Sequence, residues 1–221
     1  MTRKRWILLL IVTGCLLMAW VDFTKMHYAP KAMLKIAAFI SIPLLYHRLD
    51  TTKDPWDILK FNRRSLGIPV LLGISLYGLI LLVYFTIGSF FDFSNVTRVL
   101  NDTVGVNRSN FLYIAIYISF INSFIEEFFF RGFAFLTLKK HATRRFAIVF
   151  SSFAFAFYHV TLMAGLFDIS LYVLCLLALV VAGFVLNLLN EKSETLYPSW
   201  IVHAFANFAI NTVGFILLGM L

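Results

Sequence analysis

Residues 111–138 read FLYIAIYISFINSFIEEFFFRGFAFLTL. An apolar stretch of this length crosses a membrane as a helix, since about 20 residues rising ~1.5 Å each suffice. Yet Glu126, Glu127 and Arg131 lie inside it. An ionisable side chain in lipid costs at least ~2.5–3.5 kcal/mol, so such groups face a bundle interior and hold a partner or a task. The stretch therefore predicts one helix of a polytopic bundle, with chemistry in its interior.

The rest of the chain agrees. Of its 221 residues, 61% are hydrophobic and 14% charged, against roughly 45–50% and 25% in a soluble domain. A soluble fold of this size cannot hide so much apolar surface. Six further apolar runs flank the first: Trp6–Val21, about Met33–Tyr46, Leu66–Phe91, Phe146–Leu166, Ile169–Leu189 and Pro198–Leu221. The expected fold is all-α, with about seven transmembrane helices in a single domain over 1–221. A weaker signal around Phe90–Leu100 leaves room for an eighth, half-embedded helix.

Collagen-like, disordered and zinc-finger readings are excluded by this composition. Cys15 and Cys175, both in apolar runs, give no disulfide framework. The net charge of +8 would suggest nucleic acid in a soluble chain. Here the bases flank the apolar runs, so membrane lipid is the expected partner and nucleic acid is not. Arg3, Lys4 and Arg5, then Arg48, Lys53, Lys60, Arg63 and Arg64, then Lys139, Lys140, Arg144 and Arg145 fall at alternate connections. Lys25, Lys31 and Lys35 are counted with the opposite side, in the first loop. The bias places the N-terminus in the cytoplasm and Leu221 outside. Val12-Thr13-Gly14-Cys15 resembles a lipoprotein cleavage box, but the apolar run continues through Trp20, so a retained first helix is expected.

The remaining intramembrane polar groups are His159 in the fifth apolar run and His203, Asn207 and Asn211 in the seventh. Glu127 and Arg131 are four apart, with the acid first, the better order for a same-face ion pair. Glu126 lies about 100° around the axis and faces another neighbour. The expected division is that Arg131 holds Glu127 while Glu126 stays free. Counted from the proposed cytoplasmic ends, Glu126, His159 and Asn207 lie ~18, ~20 and ~14 Å deep, with His203 shallower at ~8 Å. One shared polar cavity fits if the last helix tilts or starts early. A carboxylate beside an imidazole can take a proton from water and return it to a leaving amine. A second imidazole and a carboxamide can hold the developing oxyanion, worth about 3–4 kcal/mol for a well-aimed donor. Glu126 with His159, and His203 with Asn207, supply these pairs for peptide-bond hydrolysis. Ser151 and Ser152 are expected in helix packing, not as nucleophiles.

These residues resemble the three motifs of the CAAX-protease and bacteriocin-processing (CPBP, or Abi) membrane endopeptidases. Glu126-Glu127-Phe128-Phe129-Phe130-Arg131 fits the first, Phe155-Ala156-Phe157-Tyr158-His159 the second and His203-Ala204-Phe205-Ala206-Asn207 the third. They occur in order on separate spans, in about 111–221. The resemblance implies an intramembrane, glutamate-dependent protease without a cofactor. Glu126 and His159 would activate water, His203 and Asn207 would form the oxyanion hole, and Arg131 would order Glu127. Phe155 is read as a pocket wall. Expected substrates are a lipidated protein processed at its C-terminus, or a peptide or bacteriocin matured in a bacterial inner membrane, with self-immunity as a related role. The alternatives are a zinc protease using Glu126, His159 and His203, a non-catalytic scaffold or immunity protein, and a proton-relaying transporter. The two histidines share no His-Glu-x-x-His helix, which disfavours zinc. No inverted repeat supports transport.

Overall fold

A computed structural model describes residues 2–24, 26–49, 55–61, 63 and 66–221. Among these the secondary structure is entirely helical. Seven helical segments are long and apolar enough to cross a membrane, so the chain is an all-α, multi-pass membrane protein. Helices α1 (Arg3–Phe23), α2 (Tyr28–Leu49) and α3 (Gly67–Ile87) form the first three. A short α4 (Ser94–Val99), continued by a π turn, follows; it is the weak eighth signal and is too short to span. The fourth span is one rod over Phe111–Thr137. It consists of α5 (Phe111–Tyr117), a π turn (Ile118–Asn122), α6 (Ser123–Glu127) and a π segment (Phe128–Thr137). Helices α7 (Arg144–Leu162), α8 (Ile169–Ser193) and α9 (Tyr197–Leu217) complete the set.

The fourth span is the axis of the bundle. Phe129, Phe130, Phe133 and Phe135 are fully buried and pack with Ile7 and Ile11 of α1, Phe39 of α2 and Phe155 of α7. Phe39 stacks on Phe129 with centroids 4.2 Å apart, and Phe130 meets Phe155 edge-on at 5.3 Å. Phe128, Phe129 and Phe130 are thus buried packing rings. By contrast Leu71, Ile74, Leu82 and Phe85 of α3, and Leu174, Leu177 and Val181 of α8, stay exposed, as lipid-facing residues do. Close helix approach comes from small residues: Gly183 of α8 lies directly against Ser152 of α7. Asn187 donates to both Ser151 Oγ (2.6 Å) and Ser152 Oγ (3.1 Å), so the two serines serve packing.

The helix ends have identifiable causes. Thr143 caps α7 by accepting from the Phe146 amide. Asp168 caps α8, and Pro198 sits in the first turn of α9, where its missing N–H costs nothing. Asp168 accepts from the Ser170 hydroxyl and from the amides of Leu171 (3.0 Å) and Ser170 (2.9 Å), which hold its carboxyl below the usual range. The start of α9 is not at a surface. Leu196 and Ser199 are fully buried, the Leu196 amide donates to Ile58 in the 3₁₀ turn Pro55–Leu59, and Asn190 grips Ser199. This inset start brings His203 level with the other polar groups, although it lies only two turns into its helix. Within the loop at 50–64, residues 50–54, 62 and 64 lie outside the described residues.

One expectation about the loops is corrected. Helix α2 begins at Tyr28, so Lys31 and Lys35 belong to a span, not to the first loop. Lys31 pairs with Asp22 at 3.6 Å, and Lys35 reaches the bundle interior. Trp200 Nε1 donates to the Phe120 carbonyl and Ser123 Oγ, both at 3.1 Å, which ties α9 to the fourth span.

Candidate active site

Glu126 and Glu127 sit where the α6 segment meets the π segment, 2% and 0% exposed. Wider π turns redirect side chains within a helix and often accompany functional sites. The two carboxylates point to different partners, as their angular separation requires.

Glu126 faces both histidines with one oxygen. Its Oε2 lies 4.0 Å from His159 Nε2 of α7 and 3.6 Å from His203 Nε2 of α9. Three spans thus converge on one carboxylate oxygen. His159 Nδ1 is 2.7 Å from the Phe155 carbonyl, which can only accept. The ring therefore carries a proton on Nδ1 and turns Nε2 toward Glu126. Phe155 is 2% exposed and meets both rings edge-on, with centroids 4.8 and 5.9 Å away. Its position is that of a wall fixing both rings.

Glu127 has two partners where the sequence suggested one. Arg131 Nη1 lies 3.2 Å from Oε1, the expected same-helix pair. His203 Nδ1 lies 2.8 Å from the same oxygen. A carboxylate accepts, so this contact places the His203 proton on Nδ1. The Arg131 guanidinium, 1% exposed, also stacks on Phe155 at 4.1 Å. None of its nitrogens makes an aligned hydrogen bond among the described residues, so charge and stacking alone hold it.

Glu126 is not free, contrary to expectation. Its Oε1 accepts from Lys35 of α2, from Asn122 Nδ2 at 3.1 Å and from Tyr158 OH at 3.5 Å. Asn122 Oδ1 in turn accepts from Lys35 at 2.6 Å. Sequence reasoning passed over all three donors. Asn122 and Glu126 are four apart, a spacing that could have flagged the pair; nothing in the sequence connects Lys35 across 91 positions.

Asn207 lies one turn beyond His203, and its Nδ2 donates to the Ile118 carbonyl at 3.1 Å. No described contact joins it to Glu126, His159 or His203. One of its two amide protons is committed to the π turn and the second stays available. Asn211 similarly donates to the Ala115 carbonyl and Ser119 Oγ, which ties α9 to the fourth span.

Residues 108–209 match the family model of the type II CAAX prenyl endopeptidases, Rce1-like. Across that segment the chain is similar to this family. The matched segment contains Glu126, Glu127, Arg131, His159, His203 and Asn207 and excludes Lys35. No curated protein and no solved structure matches the chain. Similarity to Rce1-like CAAX-type proteases over this segment supports peptide hydrolysis at family level. Among the described residues, no group of three or more His, Cys, Asp or Glu side chains is arranged to hold a metal ion. The Lys35 ammonium on Glu126 would also repel a divalent cation there.

Proposed function

We propose that this chain is a glutamate-dependent intramembrane endopeptidase that hydrolyses a peptide bond with an activated water. The reading rests on one observation: Glu126 Oε2 stands within 4.0 Å of His159 Nε2 and 3.6 Å of His203 Nε2. One water spans such a gap at ordinary hydrogen-bond lengths of about 2.8 Å. Glu126 Oε2 takes a proton from it as the oxygen attacks the scissile carbonyl carbon, and the His159 Nε2 lone pair orients the water. The same two groups then carry the proton to the departing amine, so no protein nucleophile is consumed. His203 serves the oxyanion. To donate from Nε2 while Nδ1–H is held by Glu127, its ring must carry both protons, and the two nearby carboxylates supply the countercharge. The free amide proton of Asn207, one turn away on the same face, is the second donor. Arg131 keeps Glu127 in place for that work.

The family match supports a substrate whose C-terminus carries a prenyl group; maturation of a peptide or bacteriocin, with self-immunity, is the alternative. We place the N-terminus in the cytoplasm on the alternation of basic residues, and a bacterial inner membrane is the proposed location. The test compares cells holding wild type and Glu126→Gln at equal protein levels, by mass spectrometry of their peptides and lipidated proteins. Uncut C-terminal species should accumulate in the variant; identical profiles would remove hydrolysis from the account.

A further inference from the structure

The carboxylate of Glu126 is used asymmetrically. One oxygen, Oε1, takes all the donors: the Lys35 ammonium, the Asn122 amide and the Tyr158 hydroxyl. The other, Oε2, faces the imidazoles. Lys35 is 6% exposed, and its Nζ also lies over the Tyr158 ring at 4.9 Å. A buried ammonium costs several kcal/mol unless a carboxylate compensates it. The pair thus binds α2 to the working helix and prevents the carboxylate from rotating. Lys35 belongs to none of the three motifs and lies outside the matched segment.

Resting on the protease reading, we propose that Lys35 is a positioning residue: it holds Glu126 ionised and turned so that Oε2 meets the attacking water between His159 and His203. Asn122 relays the same constraint from within the fourth span, through its contacts with both partners. The rival role for Lys35 is docking of α2 alone.

The test uses the full chain in lipid nanodiscs, as wild type, Lys35→Met and Lys35→Arg. Dicyclohexylcarbodiimide labels protonated carboxyl groups in apolar surroundings and leaves ammonium-paired carboxylates largely untouched. Mass spectrometry of the peptide carrying Glu126 should show low labelling in wild type, a several-fold rise in Lys35→Met and a return to the low level in Lys35→Arg. On a farnesylated, fluorescence-quenched peptide ending in a CAAX sequence, Lys35→Met should lose about 100-fold in kcat, the size expected for a ~1 Å misplacement. KM should stay within about twofold, because binding contacts are untouched. If Lys35→Met fails to fold, Asn122→Leu removes a second Oε1 donor while the Lys35–Glu126 pair remains, and it should move labelling in the same direction. Unchanged labelling of Glu126 in the folded variants overturns the proposal, as does a kcat loss that arginine does not restore. Glu126→Gln separates the two ideas: if it still cleaves the peptide, the protease reading fails whatever the labelling shows.

Discussion

Glu127→Gln and Arg131→Met should differ in stability, in a direction that the contacts dictate. Glu127 is fully buried and shared between Arg131 at 3.2 Å and His203 at 2.8 Å. At that first separation and an effective dielectric near 20, the pair is worth ~5 kcal/mol. Removing one partner of a buried pair typically costs about 3–5 kcal/mol, because the other charge stays behind. Glu127→Gln strands Arg131, which loses its paired carboxylate and keeps the Phe155 ring. Arg131→Met strands Glu127 less completely, since the charged hydrogen bond to His203, worth about 1.5–3 kcal/mol, survives. Arg131→Met should therefore cost less by about that amount. The double variant should recover part of the loss, as no charge is left uncompensated. Denaturant titration in mixed detergent micelles, read by tryptophan fluorescence, measures all three. Equal losses in the two single variants, or a double variant as unstable as their sum, would refute the shared-carboxylate argument.

Other outcomes follow from packing and caps. Gly183→Ala puts a Cβ 2.8 Å from Ser152 Cα, where no side chain can yield, and should cost about 1–3 kcal/mol in the same titration. Gly78→Ala meets nothing within 4 Å and should stabilise α3 by about 0.5–1 kcal/mol. The lowered Asp168 carboxyl contributes to the α8 start above the usual carboxylate range and loses that contribution as pH falls through its folded-state value. Hydrogen exchange at 169–172, corrected for intrinsic rate, should quicken in acid for wild type, while Asp168→Ala should be frayed and indifferent to pH. Peptide cleavage by purified protein should withstand prolonged chelator dialysis; loss of activity restored by zinc would support the metal-dependent alternative.

The spans were legible because hydropathy is a property of consecutive residues. Their predicted limits differ from the helices by a few residues except at α2, where two lysines masked the first turns. Those lysines are tolerated in a span because Asp22 and Glu126 neutralise them, the second from 91 positions away. The Glu127–Arg131 pair was legible for the opposite reason: its four-residue spacing is local. The convergence of Glu126, His159 and His203 was inferred from depth, and the shallow count for His203 was the weak point. The inset start of α9 accounts for it, a tertiary feature made by the turn at Ile58 and the Asn190–Ser199 bonds. The Glu127–His203 contact and the π turns that aim these groups had no sequence signal, since both depend on how helices meet.

Glu126→Gln, purified in nanodiscs and assayed beside wild type on the farnesylated CAAX peptide, tests the central claim most directly. The amide keeps the shape of the side chain and removes the base. Turnover should fall by about 10²–10⁴-fold, with the helical spectrum and substrate binding retained. A folded Glu126→Gln protein that turns over the peptide at the wild-type rate would contradict the account.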